Sequence, residues 1–167
     1  MVSAVFDSTS LILTAKIELL ALLSREMNIM ITPTVKEEST VMDSPDAKMI
    51  DQQIQKERIN IAEPGDGDIK NLVENYKLDS GEASSIALYR RKKAELLATD
   101  DGKAIEACRI MEISYTTSLK LLQRAEEKSV INEEQAIAKL EELDDYGWYK
   151  TRHIEKTREK IEREKNE

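Results

Sequence analysis

Four acidic positions stand where a chain could do chemistry. Asp7 closes the apolar run Val2-Ser3-Ala4-Val5-Phe6. Glu38 lies three residues past Val35 in Pro33-Thr34-Val35-Lys36-Glu37-Glu38, Glu82 sits in Leu78-Asp79-Ser80-Gly81-Glu82-Ala83, and Asp101 ends Leu97-Ala98-Thr99-Asp100-Asp101. Each falls at the expected carboxyl end of a strand or in the helix beside one. In open α/β sheets the ligand crevice lies outside those strand ends, so residues distant in sequence converge there. Carboxylates gathered in one crevice repel unless they are protonated or neutralised, and oxygen-only ligation with retained water suits Mg²⁺ or Mn²⁺. Such ions activate water and stabilise charge on a phosphodiester under attack, so the implied chemistry is hydrolytic phosphoryl transfer. Every position also has a plainer reading. Asp7 has the spacing of a helix cap, although Ser8, Thr9 and Ser10 offer caps as well, and Glu38 could be a solvent-facing residue of a charged helix. Asp79 and Glu82 have capping-box spacing, and either Asp100 or Asp101 must cap the helix before Ala104.

The elements that must carry these residues follow from hydrophobic spacing. Val2 to Phe6 has no helical period and reads as a buried strand, and a helix follows to about Leu23 through Leu11, Ala15, Leu19 and Leu22. Ile29 to Thr32 is a second strand, and Pro33 opens the next helix, where a missing N–H costs nothing. Residues 46–58 are helix-prone and polar. Glu63-Pro64-Gly65-Asp66-Gly67-Asp68 is the clearest turn, with a loop at 63–67; it lacks the length and terminal Glu of an EF-hand calcium loop. A short helix from Ile69 to Tyr76, a longer one from Ala83 to the basic run Arg90-Arg91-Lys92-Lys93, and a strand over 95–99 come next. A small-residue helix face (Ala104, Ala107, Cys108, Met111), a last strand at 113–116 and a helical hairpin from Leu119 to Leu143 complete the order. Tyr149 to Glu167 has only Ile154 and Ile161 among charges and reads as a solvated helix.

Composition narrows the classes. The chain has 167 residues, 33 Asp+Glu, 25 Lys+Arg and one His, for a net charge of −8. Residues 150–167 carry a balance of +2 and residues 1–149 one of −10, so the acid is concentrated in the folded part. General coating of nucleic acid, which depends on Lys and Arg, does not fit. Cys108 alone excludes an intrachain disulfide and a thiolate zinc cluster, and His153 alone excludes metal-free RNA cleavage by two histidines. No signal segment or apolar membrane span is visible, so the expectation is a cytoplasmic protein with no membrane contact.

The order of the four acidic segments resembles the PIN-domain family of metal-dependent nucleases, over roughly residues 2–145 and most specifically in Gly81-Glu82-Ala83 and Thr99-Asp100-Asp101. The likeness is nearest to the small prokaryotic branch that includes VapC-like toxins. It implies a three-layer α/β/α fold with a short central parallel sheet of four to five strands and a helical C-terminal extension. The expected division is a PIN-like domain at 1–147 and a charged helix or tail at 148–167. The resemblance makes Asp7, Glu38, Glu82 and Asp101 the catalytic and Mg²⁺- or Mn²⁺-binding set. Asp100 would help from the outer sphere, with Ser8, Thr9 and Thr99 in support. It implies an endoribonuclease acting on RNA, a homodimer, and a small antitoxin protein that blocks the acidic groove. Lys16, Lys36, Arg90, Arg91, Lys92, Lys93, Lys103 and Arg109 are the basic residues available to RNA. The run at 90–93 equally suits a solvated helix end, and Trp148 with Tyr149 is expected to pin the last helix. The chain departs from the family in having Glu at 82, where many members have Asp, and Gly102-Lys103-Ala104 where another acid is common. This leaves open a catalytically impaired PIN-like binding or regulatory module. An aspartyl phosphotransferase is the other reading, weakened by Thr9 where the haloacid dehalogenase pattern needs Asp and by the lack of a receiver lysine near 114–117.

Overall fold

The computed structural model describes residues 1–65 and 69–163. Asp66 to Asp68 of the expected turn, with the calcium-loop alternative that depended on them, lie outside the described residues, as do the last four residues of the expected tail. The chain forms two compact units, the first Met1–Thr116 and the second beginning at Thr117.

In the first unit the elements run β1 (Val2–Phe6), α1 (Ser8–Lys16), α2 (Leu20–Glu26), β2 (Met27–Ile31), α3 (Pro33–Thr40), α4 (Pro45–Gln55) and β3 (Ile59–Ile61). They continue through α5 (Ile69–Tyr76), α6 (Ser80–Lys92), β4 (Leu96–Ala98), α7 (Gly102–Ile110) and β5 (Tyr115–Thr116). The five strands make one sheet, all parallel, in the order β3-β2-β1-β4-β5. This is the three-layer α/β/α arrangement expected. Successive strand residues point to opposite faces. On one face Val5 and Leu97 pack with Leu72 of α5, Ile86 and Leu88 of α6, and Ala104, Ala107 and Cys108 of α7. The alanines let α7 lie close to the sheet, and Cys108 is free and buried. On the other face α1, α2 and α4 pack together. From β1 the chain leads outward through β2 to β3, and β4 then returns to the opposite side of β1. The gap between β1 and β4 is therefore the switch point where α/β sheets open a crevice.

Two local features differ from the sequence reading. The first helix does not reach Leu23. It stops at Lys16 because Glu18 takes a left-handed conformation (φ 58°), with Glu18 N–H donating to Ala15 O (3.1 Å) and Leu19 N–H to Thr14 O (2.9 Å). These are the two bonds of a Schellman ending. Ile17, Leu19 and Leu20 are all fully buried; the apolar face was too wide for one helix stripe, and the break turns the chain so that all three go inside. The second is β3, a strand hidden between polar residues. It pairs with β2 from Ile59 to Ile61 and forms the sheet edge.

The second unit holds α8 (Ser118–Glu127), α9 (Glu133–Tyr146) and α10 (Thr151–Arg163). Thr117 caps α8, and Asn132 with Gln135 forms a capping box at α9. The three helices pack on one another. Helix α10 is not a solvated rod: Ile154, Thr157 and Ile161 recur at spacings of three and four, and all three are buried. Two isoleucines suffice because Thr157 completes the stripe and returns its hydroxyl to His153 O (2.9 Å). Trp148 is fully exposed and pins nothing, whereas the Tyr149 ring closes on Gly147. Among the described residues no helix is long and apolar enough to cross a membrane.

Candidate active site

Asp7 follows β1 directly, and its N–H extends the ladder to Ala98 O of β4 (3.0 Å). Its backbone is extended (φ −83°, ψ 177°), as a helix cap requires, and its carboxylate caps α1. Oδ1 accepts from Ser10 N–H (3.1 Å) and from Thr9 Oγ1 (2.6 Å), and Oδ2 accepts from Thr99 Oγ1. The side chain is 1% exposed. Burial pushes its pKa up to about 7, against the three hydrogen bonds that pull it down, and the charge of Asp100 adds to the rise. The cap reading of Asp7 is thus correct and incomplete. A cap needs one bond, and this carboxylate receives two more from hydroxyls that the helix does not require.

Those hydroxyls also reach outward. Thr9 Oγ1 accepts from Asp100 N–H (2.9 Å), Thr99 Oγ1 accepts from Asp101 N–H (3.2 Å), and Ser10 Oγ donates to Asp100 Oδ2 (2.7 Å). A hydroxyl donates once and accepts as well, so Thr9 and Thr99 each tie the Asp7 carboxylate to the backbone after β4. Asp101 caps α7 through Oδ2 and Ala104 N–H (3.0 Å). Of the two neighbours, Asp101 is therefore the cap and Asp100 the partner of Ser10.

Glu82 completes the expected capping box: Asp79 Oδ1 accepts from Glu82 N–H (2.8 Å), and Glu82 Oε2 accepts from Asp79 N–H (3.0 Å). Its carboxyl also lies close to that of Asp101, whose charge opposes ionisation of Glu82. Partial burial, then the neighbouring Asp101 carboxyl and the charge of Asp79, hold its pKa near 7 against the Asp79 N–H. Glu38 projects from α3 to Ser8 Oγ, which donates to Oε2 at 3.5 Å, and its carboxyl rests against Gly81. Its pKa is raised, first by burial of the carboxyl end and then by Asp79 and Glu37, with the Ser8 bond opposing. Spacing makes Asp79 a cap alone, yet its charge falls on both Glu38 and Glu82. Ser10, read only as one of three capping hydroxyls, holds Asp100 instead; its signal is its place three residues after Asp7, one helical turn on.

A family model described as a PIN domain, DUF3368, matches residues 3–163. The chain belongs to the PIN-domain family. The match runs through α8, α9 and α10, past residue 145 where the sequence resemblance ends. No curated protein matches the sequence. PIN domains are in general nucleases that work with divalent metal, and in this one Asp7, Asp100 and Asp101 stand after the carboxyl ends of β1 and β4, at the switch point of the sheet.

The donors gathered here fit a hard divalent cation, since all are carboxylate or hydroxyl oxygens. Among the described residues, however, no three Asp, Glu, His or Cys side chains already converge on one point as a metal cage. The acids stand instead as Asp7 beside Asp100, Glu82 against Asp101, and Glu38 at the rim.

The basic residues divide. Lys36 and Lys103 lie in the N-terminal halves of α3 and α7, the ends nearest the acids. Lys16 is in the last turn of α1 and Arg90 in the last turn of α6. At about 1.5 Å of rise per residue, this puts them roughly 12 Å along their helices from Asp7 and Glu82. Arg90 donates instead to Met111 Sδ (3.1 Å), and Arg109 pairs with Glu106 (3.8 Å). Arg91 donates to Glu63 O (3.1 Å) and lines an open depression of about 480 Å³ with Pro33, Thr34, Ser80 and Ser84.

Proposed function

We propose that this PIN-domain protein is a Mg²⁺- or Mn²⁺-dependent endoribonuclease of the VapC-toxin kind, with Asp7, Glu38, Glu82 and Asp101 as its metal-binding and catalytic carboxylates. The observation that carries the reading is the buried Asp7 at the switch point, tied through Thr9 and Thr99 to the backbone of Asp100 and Asp101, with Glu82 set against Asp101. A purely structural surface has no reason to press acids together. When bound, a divalent cation supplies charge neutralisation at the phosphodiester and acidifies attacking water.

The chain's own residues prepare for that. Thr9, Ser10 and Thr99 fix both Asp7 oxygens, so the carboxylate is oriented before any ligand arrives. Asp101, with Oδ2 committed to the α7 cap, stands against Glu82, so the two carboxyls would share a bound cation. Asp100, held by Ser10, stands behind Asp7 as an outer-sphere acceptor. Ser8 steers Glu38. Lys36 and Lys103, near the starts of α3 and α7, are the cations that attract RNA phosphates; Lys16, Arg90 and Arg91, in the last turns of α1 and α6, take the smaller share. A cytoplasmic setting, a homodimer and a small antitoxin that occupies the acidic groove complete the proposal.

The test is cleavage of mixed single-stranded and structured RNAs by wild type and Asp7→Asn, with Mn²⁺, Mg²⁺ or chelator. Metal-dependent cleavage that vanishes in the variant supports the reading; cleavage unaffected by Asp7→Asn sinks it. A second reading, a PIN-like binding or regulatory module without catalysis, draws on the absence of a ready-made cage among the described residues. Calorimetry with Mn²⁺ separates the two, because that module has no need to bind the ion.

A further inference from the structure

Gly81 is the second residue of α6, buried, and not in a left-handed conformation. Nothing in its backbone calls for glycine. In a helix glycine is worse than alanine, so local preference favours a side chain there. The space answers the question. A Cβ on Gly81 would overlap Glu38 Oε1 and lie 2.9 Å from its Cδ and 3.1 Å from its Oε2. The volume that a side chain would take is filled by the carboxyl group of Glu38.

The two helices are fixed at this point by a buried strap. Thr32 Oγ1 accepts from Val35 N–H (3.1 Å) as the cap of α3, and it meets Ser84 Oγ of α6 at 2.8 Å. Gly81 O accepts from both Ser84 Oγ (2.8 Å) and Ser85 Oγ (2.9 Å). Thr32 and Ser84 are buried. The helix starts therefore cannot slide apart to admit a methyl group cheaply, whereas Glu38 has free side-chain torsions and only a long bond to Ser8.

We propose that Gly81 is a positioning residue, whose missing side chain is the berth that holds the Glu38 carboxyl in the acidic groove. The inference rests on the nuclease reading for its functional meaning and on geometry for its substance. Gly81→Ala leaves α6 folded and moves the Glu38 carboxyl outward by about 1 Å or more, the distance needed to clear a Cβ.

Full-length wild type, Gly81→Ala, Glu38→Ala and the double variant are titrated with Mn²⁺ by calorimetry and melted without metal. The expected result for Gly81→Ala is a Tm equal to or above wild type and Mn²⁺ affinity weakened about tenfold, the loss seen when a supporting residue is removed. In the Glu38→Ala background the same change has no further effect. Wild-type affinity in Gly81→Ala overturns the proposal, as does an equal loss with or without Glu38. If wild type binds no Mn²⁺, the metal reading fails by itself. The berth is then decided by the Glu38 carboxyl ¹³C resonance in metal-free Gly81→Ala: a moved resonance supports it, and an unmoved one overturns it.

Discussion

Asp7 and Glu38 border the same groove and are held by opposite means. Asp7 is buried and immobilised by donors: one backbone N–H and two threonine hydroxyls. Glu38 is exposed along its side chain, has one long bond to a serine, and is placed by an absence, the missing side chain of Gly81. Both carboxyls are shifted upward. The difference teaches that a groove can order its acids either by surrounding them or by leaving them a gap. The first way ties the acid to folding stability, and the second leaves the acid free of it.

The largest effect that would break this contrast is on activity. Asp7→Asn is expected to reduce RNA cleavage to the level of a chelated sample while keeping the fold, as read by gel assay and circular dichroism. Asp7→Ala adds a folding cost of roughly 2–4 kcal/mol, from the lost cap and the unsatisfied buried donors, measured by urea denaturation. Glu38→Ala, by contrast, should leave the denaturation midpoint nearly unchanged. An equal loss of stability at both positions would erase the contrast.

The next test is pH. The folded pKa of Asp7, near 7, lies above its ordinary value of 3.8, so the folded chain keeps a proton that the unfolded chain has released. Its favourable contribution is therefore complete below about pH 4, declines as pH rises, and is lost above about pH 7. Glu82 acts in the same direction over a similar range. Metal-free wild type should lose stability between pH 4 and 7 relative to Asp7→Asn, and Mn²⁺ should raise its Tm more at pH 8 than at pH 5.5. A flat difference between the two proteins across that range would refute the buried-acid account.

A smaller effect sharpens the rim. Removing the Asp101 charge by Asp101→Asn should bring the Glu82 titration down from near 7 toward the ordinary carboxylate range, followed by carboxyl ¹³C NMR. The smallest effect expected is that of Ser10→Ala. It removes the bond to Asp100 but keeps the Ser10 N–H on Asp7, so cleavage should fall less than for any of the acids.

Much of this was legible in the chain, and the illegible parts have physical causes. Val2 to Phe6 and Leu96 to Ala98 are apolar runs that only a buried strand explains, and Asp7 and Asp101 end them. The capping box of Asp79 and Glu82 is a spacing rule, so it too could be read. The break at Glu18 could not, because it depends on where Ile17, Leu19 and Leu20 find room. Three residues of β3 carry too little pattern to stand out between polar neighbours. In the groove, the approach of Glu82 to Asp101 and the fit of Glu38 against Gly81 arise between segments apart in sequence. Spacing rules act within one helix or strand and cannot see them. The expectation that α10 would bury little failed for a simpler reason, since Thr157 was counted as polar when it fills the stripe between Ile154 and Ile161.

The position of β1 bears on when the groove comes into being. Strand β1, made before both of its partners, is central in the sheet, bonded to β2 on one side and to β4 on the other. Residues 8–95 must therefore emerge before its second partner exists, and long-range pairing of this kind slows folding. Thr99, Asp100 and Asp101 come later still, and without them Asp7 has no Thr99 hydroxyl and Glu82 no carboxyl partner. A chain still growing on the ribosome, close to RNA on every side, has no assembled acidic groove until Asp101 is out.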